Sequence, residues 1–497
     1  MPDATPPGAA APDDSAPGDA APDDSAPGDA VPDDTAGAPR RAPLTLDELR
    51  TLVDAGEIHT VALAFTDMQG RLQGKRFAAR FFLDEVAEHG AEACDYLLAV
   101  DVDLNTVDGY ALSSWQTGYG DFAMRPDLAT LRLTPWQPGT AQVTADLARH
   151  GGHPVDAAPR QLLRRQIERL AEYGFAADIG TELEFLVFRD TYEQAWSGGY
   201  RGLTPANQYN VDYSMLGTAR VEPLLSRIRL EMAGAGLVVE SAKGECNLGQ
   251  HEIAFRYADA LTTCDQHSVY KTGAKEIAAQ QGCALTFMAK YNEREGNSCH
   301  IHLSLRDLRD RSAGPGGVPA FADHGGRMTD TMRHFLAGQL VALREFSLLY
   351  APNINSYKRF RPGSFAPTAV AWGRDNRTCA YRVVGRGAGL RMENRMPGGD
   401  VNPYLAVAGM IAAGLHGLQQ KLELPAPCLG NAYAADEYAR VPGSLREAAD
   451  LWAGSELARE AFGADVVEHY LHTARIEQAA YDSAVTDWER YRSFERM

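Results

Sequence analysis

The sequence predicts an α+β protein in which a small domain precedes a larger one. Three observations carry that prediction. Short strand-like segments cluster before about residue 150. A strongly amphipathic helix pattern, AAPRQLLRRQIERLAEYGF, then opens a second region. Beyond it, strands and helices mix without the regular βαβ rhythm of a doubly wound sheet.

The chain begins with a low-complexity segment. APDDSAPGDA starts at Ala11, repeats at Ala21 and decays to VPDDTAGAP. It has almost no large apolar residues and cannot repay the entropy of ordering, so residues 1–42 read as a disordered acidic leader. The lack of an apolar face argues against a solenoid despite the period of ten.

The small domain is expected over residues 43–150. LTLDELRTLVDAG has a helical apolar period with acidic residues early. HTVALAFTDMQGRLQGKRF alternates as a strand–turn–strand hairpin with Gly70 at the turn. DFAMRPDLATLRLTPW and GTAQVTADL supply further strands. The larger domain follows over 151–497. Pro159 suits a first helical turn, and Leu162, Leu163, Ile167 and Leu170 fall on one face. GRGAGL at 385–390 lacks the lysine of a phosphate-binding loop and reads as structural.

Composition excludes several classes. The net charge is −18, and the leader's nine aspartates and two arginines account for seven units of it. An acidic chain suits neither nucleic acid nor an anionic membrane. No apolar run reaches the roughly 18–20 residues of a membrane span. The N-terminus lacks a secretory pattern, and seven cysteines without paired spacing fit reduced thiols, so a cytoplasmic location is expected.

Three strands carry the chemistry. In ADIGTELEFLVF, alternation puts Glu182 and Glu184 on one face. In NSCHIHLSL it groups His300, His302 and Ser304, and in LRMENRMP it groups Arg391, Glu393 and Arg395. Each face alone could be solvated surface. Together they pair metal- and anion-binding side chains with firmly apolar reverse faces, which points to a shared ionic interior. GECNLGQHEIAFRY adds Glu245 and Glu252 around a Gly249-Gln250 turn. Carboxylates with a histidine suit Mg²⁺ or Mn²⁺ rather than structural zinc, and several carboxylates suggest two metal positions. Two metals with several arginines are what phosphoryl transfer requires. Lys358, Arg359 and Arg361 in NINSYKRFRPGSFAP, and Arg377 and Arg382 in DNRTCAYRV, supply more cations. Surface charge is the competing reading for Lys358 and Arg361.

From about residue 45 to the end, these pieces resemble, in order, type I glutamine synthetases: ExE, E-x6-E around GQ, HxH, NSYKR, NR-x4-R, RxExR and NPYLA. The resemblance implies a β-grasp-like N-terminal domain and a catalytic domain built on a curved antiparallel sheet. It implies ATP and two or more Mg²⁺ or Mn²⁺ ions per site. Glu184, Glu245 and Glu252 match the ligands of one metal; Glu182, His300 and Glu393 match those of the other. His302, Ser304, Tyr257, Arg382 and Arg391 match nucleotide-side residues. Arg359, Arg377 and Glu252 are the implied catalytic residues. Arg359, Arg395, Gly296 and the flap position Phe365 lie on the substrate side. The implied reaction phosphorylates the glutamate γ-carboxylate, after which an amine displaces phosphate. The implied assembly is a homododecamer of two stacked hexamer rings.

The departures concern the amine. The flap position that carries a glutamate in ammonia-using members is Phe365, and no DGSS-like run precedes GDFAMRPD. Glu295 stands where the family has an asparagine near bound glutamate. Tyr433 lies near an adenylylation position, but without the lysine-rich and proline-rich surroundings of that signature. Losing ammonium-pocket charge while retaining the metal ligands points to an organic amine. The wording AVDVDLNTVDGYALSSW and KYNEREGNSCHIHLSL is most similar to the ethanolamine branch of the γ-glutamyl amine ligases. A polyamine ligase, an ammonia-using synthetase and a non-catalytic regulatory homologue are the alternatives. No carboxylate cluster for a polyamine's distal nitrogen is evident in the sequence.

Overall fold

A computed structural model describes residues 43–310, 312, 314 and 316–497; the acidic leader lies outside them. The first helix, Leu46–Asp54, starts at a capping box between Thr45 and Glu48. Five strands then form one sheet: β1 (Thr60–Thr66), β2 (Leu72–Ala78), β3 (Ala91–Cys94), β4 (Asp121–Leu133) and β5 (Thr140–Ala148). Their order is β2-β1-β5-β4-β3, with β1 and β5 parallel at the centre and the other neighbours antiparallel. That is a β-grasp-like arrangement. The hairpin expected around Gly70 is β1–β2, paired from Thr60↔Ala78 to Thr66↔Leu72.

The amphipathic segment forms the helix Pro159–Glu172 and buries Leu162, Leu163 and Leu170. Ten strands follow: β6 (Phe175–Phe188), β7 (Val239–Gly244), β8 (Gln250–Phe255), β9 (Ala258–Asp259), β10 (Ala284–Thr286), β11 (Cys299–Asp307), β12 (Val318–Pro319), β13 (Trp372–Arg374), β14 (Tyr381–Val384) and β15 (Arg391–Asn394). They make a single curved sheet whose main path is β13-β14-β15-β11-β6-β8-β7. Every pairing is antiparallel except β13 with β14.

The sheet's apolar side packs on long helices. Leu183, Phe185, Ile301, Leu303 and Met392 are buried there. The helices Ala260–Gln280 and Pro403–Gln420 complete the core, the latter apolar nearly all round. All seven cysteines are free thiols. Among the described residues, no helix is long and apolar enough to cross a membrane.

Candidate active site

The register of four central strands assembles the site. His300 lies opposite Glu182 across β11–β6, Glu184 opposite Glu252 across β6–β8, and His302 opposite Glu393 across β11–β15. Alternation on each strand then turns these side chains to the same side. Two adjoining cavities result, of about 360 and 330 Å³, with Glu182 on the wall between them.

The first cavity holds one carboxylate cluster. Ligand oxygens of Glu184, Glu245 and Glu252 lie within 4.8 Å of one another. Gln250, the first residue of β8, fixes Glu184: its Nε2 donates to Glu184 Oε2 at 3.1 Å, Gly296 O at 2.9 Å and Asn297 Oδ1 at 3.0 Å. The backbone N–H of Ser298 also donates to Glu184 Oε2 at 2.7 Å. Lys243 contacts Glu245 closely and lies 3.8 Å from Glu252. Burial pushes Glu252 up to about 8; Lys243 opposes the rise, and the neighbouring carboxylates add to it.

The second cluster sits where the cavities meet. Ligand atoms of Glu182, His302 and Glu393 fall within 4.8 Å of one another. His300 Nδ1 is 3.3 Å from Glu182 Oε2 and 3.5 Å from Glu393 Oε1. Both histidines therefore converge on this cluster, although the sequence motif separates His300 as metal ligand from His302 as nucleotide contact. Arg391 Nε donates to His302 Nδ1 at 3.2 Å, which assigns the proton to Nε2, facing Glu182 Oε1 at 3.0 Å. His300 Nε2 is buried without a hydrogen-bond partner. Burial, then the charge of Arg395, pushes His300 down, favouring the neutral imidazole that a metal requires. Burial alone would raise Glu182, but the hydrogen bonds and charges of His300 and His302 outweigh it and hold it well below the usual carboxylate range.

Arginines complete the enclosure. Glu393 is 0 % exposed and pairs closely with Arg395, and with Arg382 at 2.9 Å. Arg395 Nη2 also donates to the carbonyl of Phe365 at 3.3 Å, tying the flap to β15. Arg377 lines the first cavity. Arg359, 1 % exposed, donates only to neutral oxygens: Met396 O at 2.9 Å and Ser298 Oγ at 3.0 Å. It has no ion-pair partner among the described residues. Gly296 lies against it, since a Cβ there would fall 2.6 Å from Arg359 Cγ and 2.3 Å from Ala289 O.

Phe365 is 53 % exposed on the rim and has φ +57°, a left-handed conformation that costs a non-glycine residue energy. Tyr257, Ser304 and Arg391 line the second cavity with His302. The candidate metal, nucleotide and substrate residues therefore gather around these two adjoining cavities, whereas Lys358 and Arg361 lie outside them.

The structure also corrects the sequence reading. Ala388 and Gly389 of GRGAGL line the second cavity, so that loop belongs to the site as well as to the fold. Lys358 and Arg361 do not line either cavity. Asp212 and Glu295 both line the first cavity, supplying carboxylates outside Glu182, Glu184, Glu245 and Glu252 that were not evident as a cluster. Sequence reasoning missed Asp212, Lys243 and Gln250. Gln250 had a signal in its place beside Gly249; Asp212 sits in an irregular segment with none.

The donor set fits hard divalent cations. It offers carboxylates for one ion, and carboxylates with imidazole for a second beside it. His300 Nε2, buried and unpartnered, is the kind of atom such an ion would satisfy.

Residues 156–493 match the family model described as the glutamine synthetase catalytic domain. The chain is 73% identical over 460 residues to γ-glutamylethanolamide synthetase GlnA4 of Streptomyces coelicolor, covering 93% of this chain and 98% of that protein. It is 38% identical over 448 residues to a glutamate–isopropylamine ligase of a Pseudomonas species, covering 89% and 96%. Among solved structures, GmaS in complex with ADP superposes with a TM-score of 0.78 at 27% identity, covering 90% of this chain and 99% of that one.

Proposed function

This chain belongs to the glutamine synthetase family, and we propose that it ligates the γ-carboxylate of glutamate to ethanolamine, driven by ATP. The likeness to γ-glutamylethanolamide synthetase across nearly the full length of both chains carries this reading. Phe365 on the cavity rim gives it physical content.

Arg359 is the α-carboxylate clamp. A buried guanidinium without an anionic partner is poised for one, and bidentate pairing would orient glutamate. Gly296 lets the Arg359 side chain pack against it and so sets the clamp's position. Tyr257, Ser304 and Arg391 hold the nucleotide in the second cavity. Arg377 and Arg382 face the transferring phosphoryl group and offset its charge. Mg²⁺ or Mn²⁺ would be held by Glu184, Glu245 and Glu252, and by Glu182, Glu393 and an imidazole of β11. Such ions neutralise the nucleotide phosphates when bound.

Phosphorylation turns a poor electrophile, the γ-carboxylate, into γ-glutamyl phosphate. The amine, in its unprotonated form, attacks the carbonyl carbon, the bond to the phosphate oxygen breaks, and the proton shed by nitrogen passes to the departing phosphate or a cavity carboxylate. Phe365 accepts no proton and attracts no cation by full charge; its ring packs against carbon. Asp212 and Glu295 supply negative charge that draws in a protonated amine. Those two carboxylates also support a second reading, in which the substrate is a diamine or polyamine whose distal nitrogen they hold.

We assign residues 43–150 to a β-grasp-like domain and 151–497 to the catalytic domain, and we propose a cytoplasmic dodecamer of two stacked hexameric rings. Light scattering on the purified enzyme tests the assembly, with twelve subunits expected.

The decisive assay is phosphate release with glutamate, ATP and Mg²⁺ against ammonium, ethanolamine, putrescine and spermine at matched concentrations. Strong release with ethanolamine and little with ammonium is expected. Release with ammonium alone would overturn the reading of Phe365. Phe365→Glu is expected to lower the ethanolamine kcat/KM by about 10-fold, through loss of the apolar contact with the amine's carbon substituent. It should raise turnover with ammonium.

A further inference from the structure

The largest cavity described, about 800 Å³, shares no lining residue with the two catalytic cavities. It opens between the β1–β2 turn and the helix Ala260–Gln280. Lys271 and Lys275, one turn apart on that helix, both reach it, with Nζ atoms 5.7 and 5.8 Å from the Phe287 ring centre. Arg71 enters from the turn.

These cations are poorly compensated. Neither lysine makes an ion pair among the described residues. Lys271 has a single long hydrogen bond, 3.5 Å to Val401 O. Arg71 is held by Asp67 at 2.8 Å and by Val102 O at 2.6 Å, yet its Nη2 is buried without a partner. Burial and then Lys275 push Lys271 down to about 8, and burial and then Arg71 push Lys275 down. Lys275 lies at the exposed edge of the cavity with Lys271 and Arg71 half-buried beside it, and the like charges repel one another.

Two of the nearby carboxylates accept hydrogen bonds elsewhere, although Asp400 Oδ1 has no partner. Glu276 accepts from Trp136 Nε1 at 2.6 Å and Gln137 Nε2 at 2.8 Å. Asp400 Oδ2 accepts from Asn353 at 3.0 Å and Ser356 at 2.6 Å. Asp400 attracts Lys271 but does not reach ion-pair distance. Burial, Asp101 and Asp103 push Glu477 up from the ordinary carboxylate range.

We propose that this cavity binds a small multivalent oxyanion at the corner formed by Arg71, Lys271 and Lys275. An anion there would relieve the repulsion. The volume admits a metabolite bearing a phosphoryl or polycarboxylate group. The proposal is independent of which amine the enzyme uses.

The test uses the full-length enzyme without metal or nucleotide, titrated calorimetrically with inorganic phosphate and, separately, with tricarballylate. Binding of at least one probe is expected, weakened about tenfold or more by Lys275→Ala. Lys275→Arg should restore it, and Arg377→Ala should leave it unchanged. Phosphate binding alone would identify a phosphoryl ligand, and tricarballylate binding a polycarboxylate; either supports the proposal. Lys271→Gln should weaken binding as well, and should leave the melting temperature in anion-free buffer unchanged or higher. Absence of binding, binding indifferent to Lys275, or loss on Arg377→Ala would each overturn the proposal, the last by placing the anion in the catalytic cavity.

Discussion

Two buried ionic clusters in this molecule contrast sharply. One surrounds Arg160, where the first long helix meets β4, β5 and the helix Ala260–Gln280. There Nε and Nη2 of Arg160 donate to the two oxygens of Asp265 at 2.9 and 2.8 Å. Asp127 is 2.7 Å away, Asp146 is 2.5 Å away, and Tyr404 Oη donates to Asp265 at 2.6 Å. Every guanidinium nitrogen of Arg160 has an anionic partner. The other cluster is the catalytic centre. There Arg359 lacks an anion, His300 Nε2 and Arg395 Nε lack partners, and burial raises Glu252. Internal balance marks the cluster that holds the fold. Imbalance marks the cluster that awaits nucleotide, glutamate and cation.

The largest expected effect tests the unbalanced side. Arg359→Met should reduce kcat/KM for glutamate by about three orders of magnitude, as loss of a charge-assisted clamp that orients substrate does. It should leave the melting temperature unchanged or slightly higher, because a buried unpaired charge is removed. Steady-state phosphate release and a thermal melt check both halves. A large loss of stability would mean Arg359 is structural, and the contrast would fail.

The balanced side should respond in reverse. Arg160→Met strands Asp265 in the interior and should cost about 3–5 kcal/mol of stability. Catalytic efficiency per folded molecule should not change. Denaturant unfolding with activity measured at low temperature separates the two.

Much of this contrast was legible in the sequence, for a simple geometric reason. Alternation along a strand sorts side chains by face, so Glu182 with Glu184, His300 with His302, and Glu393 with its flanking arginines could be grouped by counting. The helix Pro159–Glu172 and the β1–β2 hairpin followed from apolar period and turn chemistry in the same way. Burial depth could not be counted. Arg359 and Arg377 both read as cations near a substrate, and only the fold buries one and leaves the other on a cavity wall. Asp212 was invisible because it sits in an irregular segment, where no period links position to direction. GRGAGL was set aside for lacking a phosphate-loop lysine, yet its backbone lines the second cavity. The leader, residues 1–42, lies outside the described structure.

A pH experiment sharpens the comparison with a group that is buried but neutral. His469 packs its ring 4.8 Å from that of Tyr110, with Nε2 3.0 Å from Met68 Sδ. Burial pushes it down from 6.5 to about 4. The unfolded chain then binds the proton more tightly than the folded one. Its contribution is fully present above about pH 6.5 and is lost as pH falls towards 4, on the order of 3 kcal/mol in all. His469→Gln should flatten that part of the stability–pH curve, measured by urea unfolding between pH 7 and 5. An unchanged slope would show that the fold tolerates the imidazolium there.

The smallest effect concerns Asn402, at the head of NPYLA. Its Oδ1 accepts from Tyr404 N at 3.2 Å, capping the helix Pro403–Gln420. Its Nδ2 donates to Asp67 O and Met68 O, both at 3.1 Å, and so ties that helix to the β1–β2 turn. One amide thus joins the smaller sheet to the catalytic core through neutral hydrogen bonds. Asn402→Ala should cost about 1–2 kcal/mol, the sum of a lost cap and exposed carbonyl acceptors. Asn402→Asp keeps the cap but turns a buried carboxylate oxygen onto those two carbonyls and should cost more than the alanine. Neither should alter kcat, because the amide touches no charged group of the site. If kcat falls more than stability explains, the small sheet is coupled to the chemistry, and the division between a balanced scaffold and an unbalanced centre must be redrawn to include it.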